Sequence, residues 1–218
     1  MADDVKITVS NKTPNDYTFV FFQQDTKING MFTKIFPTAW EIIPLGGVPD
    51  PDAGFSTNTF IYPVQMQVGV TEHCTPYEAN TRYRYQNADY NSKWEFKLDN
   101  QYQRLDKLDG TNVDGTISCI NRAPKLVDVA ICKNGKPVIV YRGPNEQGVP
   151  QGDQGNLLLT PKIYVMYAYQ MQVGTMFQSY MGSENVHEID LTNTHEVEIS
   201  LVVKNEVTGL KEWLVTRK

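Results

Sequence analysis

The sequence predicts an all-β protein made of two tandem antiparallel β-sandwich domains related by internal duplication. Three observations predict it: apolar residues that recur with a period of two, short segments that recur in the same order in both halves, and clusters of Pro, Gly, Asp and Asn between them. Successive side chains of a strand point to opposite faces, so a period of two marks extended chain with one face turned to a core.

The elements follow in order. Val5, Ile7 and Val9 alternate with Lys6, Thr8 and Ser10, and Tyr17, Phe19 and Phe21 keep the same spacing. ITVSNKTP, from Ile7 to Pro14, aligns with ISCINRAP, from Ile117 to Pro124, 110 residues later; Ile, Asn and Pro are identical and Lys12 falls opposite Arg122. Tyr17, Phe19 and Phe21 then fall opposite Val127, Val129 and Ile131. The tripeptide Gly47-Val48-Pro49 recurs as Gly148-Val149-Pro150, in loop-like stretches of both halves. QMQVG, Gln65 to Gly69, recurs as Gln170 to Gly174, and WEFKL, Trp94 to Leu98, falls opposite VEISL, Val197 to Leu201. The order is kept throughout, and the offsets drift only as far as loop insertions move them. The turn-forming run LDGTNVDGT sets a boundary, giving domains 1–112 and 113–218, each of a common size for a β-sandwich. Around Thr75 to Ala79, with Pro76 near its start, the chain reads as one turn rather than a helix.

Composition excludes several classes. Hydrophobic residues make up 40%, enough to bury a core that needs no disulfide staples, and three cysteines, Cys74, Cys119 and Cys132, form no CxxC pair. Lys and Arg number 20 against 25 Asp and Glu, so nucleic acid is not an expected partner. The start, MADDVKITVSNK, lacks signal-peptide regions and no apolar run reaches membrane-span length, which together predict a cytoplasmic protein. In that setting the sequon Asn11-Lys12-Thr13 reads as a plain turn.

Catalytic constellations are hard to find. There is no G-x-S-x-G, Walker loop or dinucleotide fingerprint, and the glycines of QGDQGN are spaced for a turn. His187, Glu188 and His195 in HEIDLTNTH do not make H-E-x-x-H, and on strands that spacing brings no two imidazoles to one ion. His73 and Cys74 are adjacent and on extended chain point apart, so neither serves the other. Asp50 and Asp52 in VPDPDAG are too few for a Ca²⁺ site, and the matching loop keeps only Asp153. TRYRYQNADY reads as an edge strand whose arginines discourage sheet-to-sheet pairing. No metal and no cofactor is expected, and no catalytic residue is assigned.

If FIYPVQMQVG is one strand, Phe60, Tyr62, Val64, Met66 and Val68 share the core face, and Val165, Tyr167, Tyr169, Met171 and Val173 do so in the second copy. Gln65, Gln67, Gln170 and Gln172 then lie on the reverse face, which is open to solvent, to the other half or another subunit, or to a ligand. Trp40, in FPTAWEIIP, has no tryptophan opposite it in the second half, so the copies are unequal. With Tyr62, Gln65 and Gln67 it forms the expected ligand site of a non-enzymatic binding or interaction protein, one reading being lectin-like recognition of a small neutral polar ligand or glycan. The competing reading for Trp40 is a core anchor. The alternative function is an unfamiliar enzyme or biosynthetic accessory protein, with His73, Cys74, His187 or His195 acting in a cleft between the halves. A protein partner, including a second copy of the chain, is the remaining expectation.

Overall fold

The computed structural model describes residues 4–24, 33–49, 54–79, 81–168, 171–177, 186–205 and 207–218. Its strands in chain order are β1 (Val5–Lys12), β2 (Tyr17–Phe22), β3 (Ile35–Pro37), β4 (Glu41–Leu45), β5 (Ser56–Tyr62), β6 (Met66–Glu72), β7 (Arg84–Ala88), β8 (Ser92–Asp99) and β9 (Tyr102–Thr111). They continue with β10 (Ile117–Asn121), β11 (Val127–Lys133), β12 (Lys136–Tyr141), β13 (Gln154–Leu157), β14 (Lys162–Ala168), β15 (His187–Asp190), β16 (Glu196–Asn205) and β17 (Leu210–Arg217). A single 3₁₀ turn at Pro144–Glu146 is the only helical element among the described residues, so the chain is all-β. No helix among them is long and apolar enough to cross a membrane.

The strands form four sheets, ordered β17-β16-β1-β5, β13-β10-β8-β9, β3-β12-β11-β6-β7 and β15-β14-β2-β4. In the first two, a parallel pair lies at the centre: β1 with β16, and β10 with β8. In the other two, the central pair is antiparallel: β11 with β6, and β2 with β14. Every sheet therefore takes strands from both sides of residue 112, and one continuous core runs from Val5 through Phe96 and Ile131 to Leu201. The boundary expected from the LDGTNVDGT turn does not separate the sheets, since β1 pairs with β16 and β10 with β8 across it.

Alternation builds these sheets. Val5, Ile7 and Val9 are buried while Lys6 is exposed, and Trp94 and Phe96 are buried between half-buried Lys93, Glu95 and Lys97. The segment from Arg84 to Ala88 is an edge strand, with both Arg84 and Tyr85 exposed. Two buried asparagines fix the corners after β1 and β10. Asn11 donates to the carbonyls of Asn15 (2.8 Å) and Leu45 (3.2 Å) while its oxygen accepts from the Thr13 N–H; Asn121 donates to Lys125 (2.7 Å) and Val149 (2.8 Å) while its oxygen accepts from the Ala123 N–H. Each amide satisfies backbone groups that a corner would otherwise leave unpaired. Asn11 is fully buried, so the sequon is a structural turn.

FIYPVQMQVG is not one strand. The chain leaves β5 at Tyr62, turns at Pro63, and enters β6 at Met66 in a different sheet. Pro63 has no N–H for a ladder, which suits it to a corner. Of the second QMQVG, Met171 to Gly174 lie outside any strand: β14 ends at Ala168, Gln170 lies outside the described residues, and the Thr175 N–H closes a turn onto the Gln172 carbonyl. Met66 belongs to the main core, whereas Met171 is half-buried against a separate cluster of Val20, Phe22, Ala39, Tyr164, Met166 and Phe177. The two methionines do not occupy equivalent positions. In register, Val68 lies opposite Ile131 and Val165 opposite Phe21. Both glycines of the pentapeptide permit close approach: a Cβ on Gly69 would meet Cys132 Sγ at 2.7 Å, and one on Gly174 would meet the Ala79 carbonyl oxygen at 2.0 Å.

Candidate site at Lys133 and its pocket

The strand Val127–Lys133 is buried along its whole length. Val127, Val129 and Ile131 point into the core, and Lys133 continues their phase, so the alternation carries a lysine inward at the end of β11. Its side chain reaches a pocket of about 370 Å³. Val5, Tyr62, Val64, Met66, Leu159, Pro161 and Leu191 line this pocket together with Tyr90 and residues 192–195. The apolar walls thus come from both halves of the chain.

Lys133 Nζ donates to the carbonyls of Pro63 and Val64 and stands 4.2 Å from the centroid of the Tyr62 ring. Among the described residues, no carboxylate forms an ion pair with it. Burial pushes the ammonium down to about 7 from its ordinary 10.5, and the charge of Asp4 acts in the opposing direction. Burial also pushes the Tyr62 phenol up, against the effect of the nearby Gln23 amide, and pushes the Tyr90 phenol up. At neutral pH the pocket therefore holds an amine poised between its two protonation states, beside two neutral phenols.

Trp40 is 2% exposed and lies behind this wall. Its ring meets Tyr62 and Phe60 edge to face at 5.6 and 5.9 Å, and its Nε1–H donates to the Lys133 carbonyl at 3.3 Å. Trp40 thus supports Tyr62 and the Lys133 backbone from within the core, and among the described residues Tyr62 is the one expected ligand residue that lines the pocket. Gln65 is exposed and donates to the Met66 and Ala88 carbonyls. Gln67 is half-buried between Asn87 Oδ1 and the Gly135 N–H. Gln172 is exposed in its turn. Asp50 and Asp52 lie outside the described residues.

A second cluster lies where β6 ends and β11 begins. Asp128, fully buried on β11, accepts from His73 Nδ1 at 2.7 Å and from Arg142 Nε at 3.3 Å. Arg142 also reaches Glu146 and the Cys74 carbonyl and stands 5.3 Å from the Tyr77 ring. Burial pushes the Asp128 carboxyl up, and hydrogen bonds from His73 and Arg142 act against that shift. His73 Nε2 lies 3.1 Å from Thr75 Oγ1. His73 faces this second pocket, His195 borders the first, and His187 lies on β15.

Lys133, Asp128 and Arg142 were missed by motif reasoning. The signal for Lys133 was its phase, two residues beyond Ile131; for Asp128 it was a carboxylate inside an apolar run. Compared with protein families, curated proteins and solved structures, the chain matches none.

Proposed function

We propose that the pocket at Lys133 is a binding site rather than a catalytic one, for a ligand that is small, largely apolar, and carries one acceptor group, foremost a carboxylate, that meets Lys133 Nζ. The observation that carries this reading is a buried amine that, among the described residues, forms no ion pair with a carboxylate, in a pocket whose walls are mostly apolar. Such an arrangement costs stability, since the charged form is disfavoured by burial, and an arriving carboxylate relieves that cost. The apolar walls favour a less hydroxylated ligand than the glycan expected from the glutamines, while Tyr62 keeps its expected role as the aromatic platform.

The same proposal takes the chain as a duplicated unit, with copies 1–112 and 113–218, that exchanges strands and builds the pocket from both copies. The sheet orders support it: β17-β16-β1-β5 corresponds to β9-β8-β10-β13, and β15-β14-β2-β4 to β7-β6-β11-β12. So do the paired corner roles of Asn11 and Asn121. The separate places of His73, His187 and His195 weigh against a shared acid–base site.

Ligand-dependent melting with matched series of aryl and alkyl carboxylates, their primary amides and neutral sugars tests the reading. Carboxylates are expected to raise Tm most, with the preference lost in Lys133→Gln and weakened above pH 7, where each pH unit costs up to about tenfold in affinity because binding must then take up a proton. Equal shifts in wild type and Lys133→Gln, or stabilisation by sugars alone, would overturn it.

A further inference from the structure

The second pocket holds an arrangement that ligand binding at Lys133 leaves unused. Asp128 is fully buried and its two oxygens are engaged by different partners, Oδ1 by His73 and Oδ2 by Arg142. The carboxylate keeps the imidazole proton on Nδ1 as a hydrogen-bond donor, which leaves the Nε2 lone pair as the acceptor. The group 3.1 Å from Nε2 is the Thr75 hydroxyl, and that residue is exposed. A hydroxyl, a base within hydrogen-bond reach and a buried carboxylate orienting that base are the three roles of an activated nucleophile.

The surroundings hold the ring in place and leave room in front of it. Gly148 packs behind His73: a Cβ there would meet His73 Cγ at 2.9 Å and Leu126 Cβ at 3.0 Å, and its φ of +81° suits glycine. The Gly148 N–H is itself tied to the Arg142 carbonyl at 2.7 Å, so the residue that holds Asp128 also fixes the loop behind His73. An open pocket of about 700 Å³ lies over His73 and Thr75, with Leu126, Pro144 and Pro150 as apolar walls. Glu146 and Asp153 line it too, which disfavours an anionic substrate.

We infer that Thr75, with His73 as base and Asp128 as the residue that positions it, accepts an acyl group from a neutral or cationic carboxylic ester and passes it to water. Thr75 Oγ1 bonds to the ester carbonyl carbon as its proton passes to His73 Nε2. The carbon–oxygen bond to the leaving group breaks, and the departing oxygen takes that proton. Water then attacks the threonine ester with the same base, releasing the acid and restoring the hydroxyl. Gly148 and Arg142 are positioning residues.

The probe is p-nitrophenyl acetate, read by p-nitrophenolate release and by peptide mass mapping after acid quench. The wild type is expected to carry acetyl on Thr75. Thr75→Val should abolish both the label and the enzyme-dependent release, and Thr75→Ser should restore them. Cys74→Ser should behave as wild type, and His73→Gln should lower the rate by ~10²–10⁴-fold. Circular dichroism confirms that the Thr75 variants are folded, which the exposure of Thr75 favours. Acetyl found on Cys74 or lysines but not Thr75, no acetylation of the wild type, or release unchanged in Thr75→Val would each overturn the assignment.

Discussion

Gln23 and Lys133 occupy matching places in the two sheets with antiparallel centres. One follows β2 and the other ends β11; they are 1% and 2% exposed. Each bonds two carbonyls of a neighbouring corner: Gln23 Nε2 reaches Thr160 and Lys162, and Lys133 Nζ reaches Pro63 and Val64. A neutral amide suffices for the corner at Gln23. The amine does the same structural work at Lys133 but adds a group whose charged form burial disfavours. The difference teaches that a neutral amide can serve a corner of this kind, and that titration is what sets Lys133 apart from Gln23.

The largest expected effect breaks that comparison directly. Burial lets the folded chain release the Lys133 proton near pH 7, while the unfolded chain holds it to about 10.5. Between those values the unfolded state binds more protons, so this group's contribution to stability rises with pH across that window. It falls by about 5 kcal/mol as pH drops through the window, with the loss complete below about 7. Denaturant melts of wild type and Lys133→Gln from pH 6 to 10 isolate the effect from other titrating groups. The variant is expected to lose this slope and to gain roughly 1–4 kcal/mol at pH 6.

Trp40→Ala, behind the same pocket, is expected to cost roughly 3–5 kcal/mol in chemical denaturation, because it empties a core position and frees the Lys133 carbonyl. A smaller and unequal pair sharpens the contrast between the two halves. Met66→Ala should cost roughly 2–5 kcal/mol and Met171→Ala clearly less, since Met66 is in the main core and Met171 is half-buried. Asn11→Ala and Asn121→Ala, by contrast, should cost about the same, roughly 1–3 kcal/mol each, because both leave corner carbonyls unpaired.

Local sequence carried the all-β class well, because alternation in segments such as Val5–Val9 and Trp94–Leu98 reports strands whatever sheets they join. It did not carry which strands pair. A shift of two residues keeps every side chain on its own face, so WEFKL aligned with VEISL looks sound, yet Phe96 faces Asn121 and Leu201 faces Asn11, two positions from that alignment. QMQVG misled for a different reason: its letters match, but a corner at Pro63 precedes one copy and a turn from Gln172 to Thr175 closes at the end of the other. Of the expected ligand residues, Tyr62 lines the candidate pocket and Trp40 packs on Tyr62, so the aromatics of that pocket were legible, whatever it binds. Lys133, Asp128 and Arg142 gain their chemistry from groups distant in sequence, Pro63 and Val64 for the first and His73 for the other two, and no local motif records those meetings.

The most direct test of Lys133 as the centre of the site is an NMR titration of its side-chain ¹³Cε resonance, assigned by comparison with Lys133→Gln, without and with a saturating aryl carboxylate. A midpoint near 7 in the free protein, moving upward when the carboxylate binds, is the expected result. A midpoint at the ordinary lysine value in the free protein, or one near 7 that the carboxylate leaves unmoved, would contradict the account.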